Sequence, residues 1–134
     1  MCFFDKKLHL VLSALLLIFV ISGCSDNPKS GQAKIDKIAN NIQSQLPKML
    51  DKDTRLVNVY TNQLELISEY ELVNYSPGEA DFQKTKDKIE LYLTRQVCPN
   101  IKKELLDKEI SARYIYKGNN GQTVVNRVLS PGDC

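Results

Sequence analysis

The run from Leu8 to Ile21 is apolar except for His9 and Ser13, and it divides the chain into a segment that cannot share a core with the rest and a remainder that must build its own. A helix that spans a bilayer needs about 20 consecutive apolar residues, more than this run supplies. The positive pair Lys6-Lys7 precedes it and the small residues Ser22 and Gly23 follow it. A short basic stretch, a short apolar stretch and a small-residue exit form the pattern of a removable export leader rather than a permanent span. Fold reasoning therefore starts after residue 23.

The exit reads Ile21-Ser22-Gly23-Cys24, an aliphatic residue, two small residues and a cysteine. Over residues 1–24 the chain resembles the lipobox of bacterial lipoproteins. The resemblance implies cleavage before Cys24, diacylglycerol on the Cys24 thiol, and attachment to a membrane through that lipid. It also implies a destination. In the enteric sorting rule, aspartate directly after the cysteine retains a lipoprotein in the inner membrane. Here that place holds Ser25, and Asp26 comes one residue too late. The expected location is the outer membrane, with the domain facing the periplasm.

Removing residues 1–23 from 134 leaves 111, enough for one domain with one modest core. The only histidine, His9, leaves with the leader, and there is no tryptophan. Without Lys6, Lys7 and Asp5 the 18 basic and 16 acidic residues become 16 and 15, so the mature chain is nearly neutral. It lacks the clustered basic surface that nucleic-acid binding needs. Losing histidine removes the usual general base and the commonest transition-metal ligand together. Ser-His-Asp and Cys-His sites are excluded, while a serine–lysine site or a carboxylate pair stays open. The acidic groupings are Asp51 with Asp53, and Glu65 with Glu69 and Glu71. The first reads as a solvated turn and the second as a polar sheet face. Calcium-loop and phosphate-loop spacings are missing. A non-enzymatic protein with no cofactor and no metal is expected.

Two cysteines besides Cys24 remain in the mature chain, Cys98 and Cys134. In an oxidising compartment an even pair reads as a disulfide. Two buried free thiols or a metal pair are the alternatives, and two sulfurs without histidine make a poor zinc site.

Residues 25–33, polar and broken by Pro28 and Gly31, read together with Cys24 as a flexible tether. A single domain is expected over residues 34–134. Ile35, Ile38, Ala39, Ile42, Leu46, Met49 and Leu50 recur at helical spacing, with Pro47 ending or kinking the helix. Strands are expected over 54–60 and 63–75, joined by a turn at Thr61-Asn62-Gln63 and stopped by Ser76-Pro77-Gly78. A second helix over 81–97 buries Phe82, Ile89, Leu93 and Val97 and stops at Pro99, which can open a short third helix. Strands over 110–116 and 122–129 flank Gly118-Asn119-Asn120-Gly121. The order α-β-β-α-β-β predicts an α+β fold with the helices packed on one face of a four-stranded antiparallel sheet.

Five tyrosines follow Tyr60, and Tyr114 and Tyr116 share one strand face, which makes them a candidate binding surface. The core is the competing place for them, because tyrosine forms strands well. The stretches Leu46 to Leu56, Tyr70 to Tyr75, Val97-Cys98 and Leu129 to Cys134 resemble small uncharacterised envelope proteins of Gram-negative bacteria. That likeness supports the pairing of Cys98 with Cys134 and implies no activity. The expected role is a protein-binding accessory of an envelope or secretion assembly, with an envelope protein as partner. An immunity, inhibitor or exclusion lipoprotein is the alternative.

Overall fold

The computed structural model describes residues 28–134, so the leader, Cys24 and the first residues of the tether lie outside the described residues. Its elements are α1 (Pro28–Gln43), β1 (Lys48–Met49), β2 (Thr54–Asn62), β3 (Glu65–Leu72), α2 (Glu79–Tyr92), α3 (Cys98–Lys102), β4 (Ser111–Gly118) and β5 (Thr123–Leu129). A π-helical segment, Leu93–Val97, joins α2 to α3, and a 3-10 turn, Leu106–Lys108, leads towards β4.

The α+β class holds, but the sheet differs from the one expected. It has five strands in the order β1-β2-β3-β4-β5. The pair β3·β4 is parallel, in register from Glu65 opposite Ser111 to Leu72 opposite Gly118. The other pairs are antiparallel. The cause is the long helical passage between the two hairpins. It carries the chain from the end of β3 back to its start, and a crossover of that kind delivers parallel neighbours. The fifth strand, β1, lies where the sequence pattern predicts that the first helix continues. α1 stops at Gln43, and the Ser44 hydroxyl and Gln45 amide both donate to the Asn41 carbonyl there. The chain then turns through Leu46–Pro47, a cis peptide, to pair Lys48 with Leu56.

Two more boundaries shift. α1 begins at Pro28, so residues 28–33 are helical rather than tether. Proline suits a first helical turn because its missing N–H has no partner to lose there. Pro99 does not break the chain either. It sits in the first turn of α3, and helical backbone runs through from α2 to Lys102. The hairpin turn falls on Gln63 and Leu64, one step later than expected, with Gln63 in the left-handed region at φ 53°.

Helices cover one face of the sheet, as the sequence predicts. α1 packs on β2 and α2 packs on β5. Ile35 and Ala39 of α1 are buried, as are Leu93, Leu105, Leu106 and Ile110 from the second helical passage. They meet the even-numbered side of β3 and β4, where Leu66, Tyr70, Ala112, Tyr114 and Tyr116 lie, and Val125 and Leu129 of β5. Each fully buried aliphatic side chain contributes about 1.5–3 kcal/mol. The odd-numbered side is mainly polar, with Ile67 of β3 buried among its paired charges. Arg55 pairs with Glu71 at 2.6 Å, Lys117 with Glu69 at 3.6 Å, and Arg113 with Glu65 at 2.5 Å. The polar reading of Glu65, Glu69 and Glu71 is therefore correct, although each is tied to a neighbouring strand rather than merely solvated.

Candidate interaction surface

Cys98 and Cys134, 36 residues apart, are joined in a disulfide with a Cα–Cα distance of 5.6 Å. Their surroundings differ. Cys98 is 3% exposed and packs with Leu106 and Leu129, whereas Cys134 lies at the surface. The bridge pins the segment after β5 to the start of α3. Lys102 Nζ adds a contact to the Cys134 carbonyl oxygen at 3.5 Å.

Tyr114 and Tyr116 do not form an exposed patch. Tyr116 is 7% exposed and Tyr114 is half-buried, and both belong to the core between sheet and helices. Strand alternation puts both on one face, as expected, but that is the face the helices cover. Their rings stack on Tyr70 of β3, with centroids 4.5 Å away for Tyr116 and 6.3 Å for Tyr114. Burial pushes all three phenols above the ordinary tyrosine value, furthest for Tyr114 and Tyr116, where their mutual proximity adds to the effect.

The tyrosine stack belongs to β3 and β4, the strands between those on which α1 and α2 pack. The Tyr92 phenol of α2 lies within electrostatic reach of all three stacked phenols, and the Asp51 carboxylate within reach of Tyr116. Tyr92 itself is 53% exposed, and its neighbour Leu91 is also exposed. Near Asp51, Met49 and Leu50 of the β1–β2 turn are exposed as well, Leu50 at 52%. Two pairs of large apolar side chains are thus left in water, Leu91 and Tyr92 on α2 and Met49 and Leu50 at the β1 edge, where Met49 lies opposite Arg55 and so on the polar side of the sheet. Exposed apolar area of this kind marks binding surfaces, and Tyr and Met are both enriched in them. Sequence reasoning misses these residues for separate reasons. Met49 and Leu50 fit the periodicity of α1 and so read as part of its buried stripe. Leu91 and Tyr92 lie off the stripe of Phe82, Ile89 and Leu93, and that mismatch is the available signal.

The acidic groupings are structural. Asp51 Oδ1 accepts from the backbone N–H of Asp53 and of Thr54, each at 2.8 Å, which holds the β1–β2 turn. The bond from Asp53 is the main reason its carboxyl lies below the usual range. Among the described residues no three His, Cys, Asp or Glu side chains gather to hold a metal ion.

Three solved structures share this fold. A Pseudomonas aeruginosa protein inferred to be secreted superimposes with a TM-score of 0.65 at 17% identity, covering 84% of this chain and 99% of that one. EpsS, the pilotin of the Vibrio vulnificus type 2 secretion system, gives 0.56 at 11% identity, over 80% of this chain and 94% of its own. AspS, the type II secretion system pilotin from Vibrio cholerae, gives 0.55 at 14%, with the same coverage of 80% and 94%. No protein-family model and no curated protein matches the sequence.

Proposed function

We propose that this chain is a lipoprotein anchored in the outer membrane through Cys24, faces the periplasm, and serves without catalysis as a protein-binding accessory of an envelope secretion assembly. The observation that carries the reading is the fold shared with two type II secretion pilotins over four-fifths of the chain. Two features agree with it. The large side chains left exposed at the β1 edge and on α2 are apolar, which suits a protein partner better than a small polar substrate. Glu65, Glu69 and Glu71 of the sheet face are taken up in cross-strand pairs with Arg113, Lys117 and Arg55.

Site-specific photo-crosslinking from position 92 in living cells, with mass spectrometry of the adducts, tests the reading. A component of a secretion assembly should be captured, and Leu50→Ala combined with Tyr92→Ala should weaken assembly of that complex without unfolding the domain. Unimpaired assembly in cells lacking the protein would overturn the proposal. Capture of a toxin or a lysozyme-like enzyme would replace it with the immunity or inhibitor role.

A further inference from the structure

The sheet has two edges, and side chains stop one of them more fully than the other. At the first, β1 pairs with Arg55 and Leu56 of β2. Past the register shift between Leu56 and Asn58, the Val59 N–H turns outwards and donates to the Gln43 side-chain oxygen at 2.8 Å, so the end of α1 closes that edge. β5 forms the other edge and has β4 as its one strand neighbour.

Which groups of β5 face outwards follows from β4. The Ser111 N–H donates to the Leu64 carbonyl, so the odd-numbered residues of β4 spend their backbone groups on β3 and the even-numbered ones turn theirs to β5. Ala112, Tyr114 and Tyr116 lie opposite Leu129, Arg127 and Val125, which return those bonds. Asn126, Val128 and Ser130 therefore point their N–H and C=O groups away from the sheet. Asp133 stops the last of these: its carboxylate accepts from the Ser130 N–H at 2.6 Å, its own N–H donates to the Ser130 carbonyl at 3.0 Å, and the bridged Cys134 follows it. At the other end the register shift around Val124 ends the regular ladder. What stays open is residues 126–128, and among the described residues no hydrogen bond reaches the outward backbone groups of Asn126 or Val128. The side chains of Asn126 and Arg127 lie on opposite faces and are both exposed, so neither face screens the strand there.

Bare edge groups are a template for another strand, and a second copy of this chain is the first to consider. Each antiparallel self-pairing about a two-fold axis that uses these groups meets an obstacle. Centred on Arg127, it sets two guanidinium groups directly opposite each other, a like-charge contact that destabilises. Centred on Val128, it needs the Ser130 groups that Asp133 already holds. Centred on Asn126, it brings Val128 against the shifted register at Val124. A strand from a different protein avoids all of these. Arg127 also sets the chemistry of that strand. β4 and β5 contain no acidic residue, and among the described residues no carboxylate lies within ion-pair distance of the Arg127 guanidinium.

We infer that the open edge of β5 at residues 126–128 receives an extended segment of a partner protein by strand addition, with a carboxylate of that segment opposite Arg127. The inference rests on the protein-binding reading and gives it a surface. Backbone bonds to Asn126 and Val128 supply the affinity, and the pair with Arg127 selects the segment.

The test uses the full chain in living cells, with a photo-crosslinking residue at position 126 and, as reference, the same residue at position 92. Position 126 should capture the partner that position 92 captures, through a segment that carries Asp or Glu. Val128→Pro removes an outward N–H while leaving the ladder to β4 intact, and Arg127→Glu reverses the charge; each should cut the adduct at 126 about tenfold with little change in melting temperature. Lysine in place of the partner's acidic residue should restore the adduct with Arg127→Glu. Should Val128→Pro unfold the domain, the charge exchange decides alone. An adduct that Arg127→Glu leaves unchanged, or one that joins two copies of this chain, would overturn the inference. The two positions separate the levels of failure. With no adduct from either, the protein-binding reading falls and the edge falls with it. With an adduct from 92 and none from 126, the edge alone is wrong.

Discussion

Removing either half of the Cys98–Cys134 bridge opens the same 36-residue loop. The chain-entropy model assigns a loop of that size about 4 kcal/mol, a large part of the roughly 5–15 kcal/mol that holds a domain of this kind together. On that basis alone the Cys98→Ser and Cys134→Ser variants should melt alike. Their surroundings say otherwise. A hydroxyl at position 134 would project into water, but one at position 98 would be enclosed with Leu106 and Leu129, and an unpaired buried hydroxyl adds a further cost of about 1–3 kcal/mol. At roughly 4 °C per kcal/mol for a domain of this size, Cys134→Ser should lower the melting temperature by about 15 °C. Cys98→Ser should lower it by several degrees more. Thermal unfolding followed by far-ultraviolet circular dichroism measures both, and reduction of the parent protein should reproduce the Cys134→Ser value. A Cys134→Ser protein as stable as the oxidised parent would refute the structural role of the bridge. Coincident melting of the two variants would refute the enclosed position of Cys98.

Three other perturbations probe separate parts of the fold. Gly118→Ala should destabilise by about 1–3 kcal/mol in urea denaturation, because the added Cβ would collide with the Pro77 ring and lie 3.0 Å from the Tyr75 carbonyl oxygen. Leu93→Ala should cost about 2–5 kcal/mol while Tyr92→Ala, its exposed neighbour, stays within about 0.5 kcal/mol; similar losses for both would contradict the assigned helix face. The phenols of Tyr70, Tyr114 and Tyr116 titrate above their unfolded value of 10.0, so the stability they confer is complete below pH 10 and is lost as the pH rises from there through their folded values. Absorbance at the phenolate band should therefore rise together with unfolding, and early ionisation of these three in folded protein would count against their burial. Asp51 acts in the opposite direction. Its depressed value gives stability that is present above about pH 4 and declines as the pH falls through the folded pKa.

Much of the local structure is legible in the sequence because it follows from spacing. Ile35 and Ala39 at helical intervals, and Leu66, Tyr70 and Leu72 at strand intervals, name the faces that meet the core. The structure buries the first two and packs the other three, partly buried, against the same core, while Ile67 is buried on the opposite face of β3. The relation between the two hairpins is not legible. Periodicity states which face of each strand is apolar, and that face is the same whether β4 runs with β3 or against it. The direction is set by the length and docking of the helical passage from Glu79 to Lys108, through contacts such as those of Leu93 with Tyr116 and of Leu106 with Leu129. Proline misleads in both directions for one reason. Its cost depends on whether a backbone N–H is needed at that position, and neither Pro28 nor Pro99 occupies a place in its helix where one is.

The candidate site shows the same limit. Parity correctly puts Tyr114 and Tyr116 together, but parity cannot say whether a shared face meets helices or water. The answer lies in residues distant in sequence, since Leu93 and Val97 close over that face. What remains for a partner is the apolar surplus that no internal face absorbs, and this is recognisable only after the faces have been assigned. Tyr92 shares its helix with the buried stripe yet falls off its period, and Leu50 follows a helix that ended before reaching it. A binding surface in a domain with no catalytic histidine is therefore best sought among large apolar residues that break the pattern of their own element. Aromatic residues that fit that pattern are already spoken for by the core.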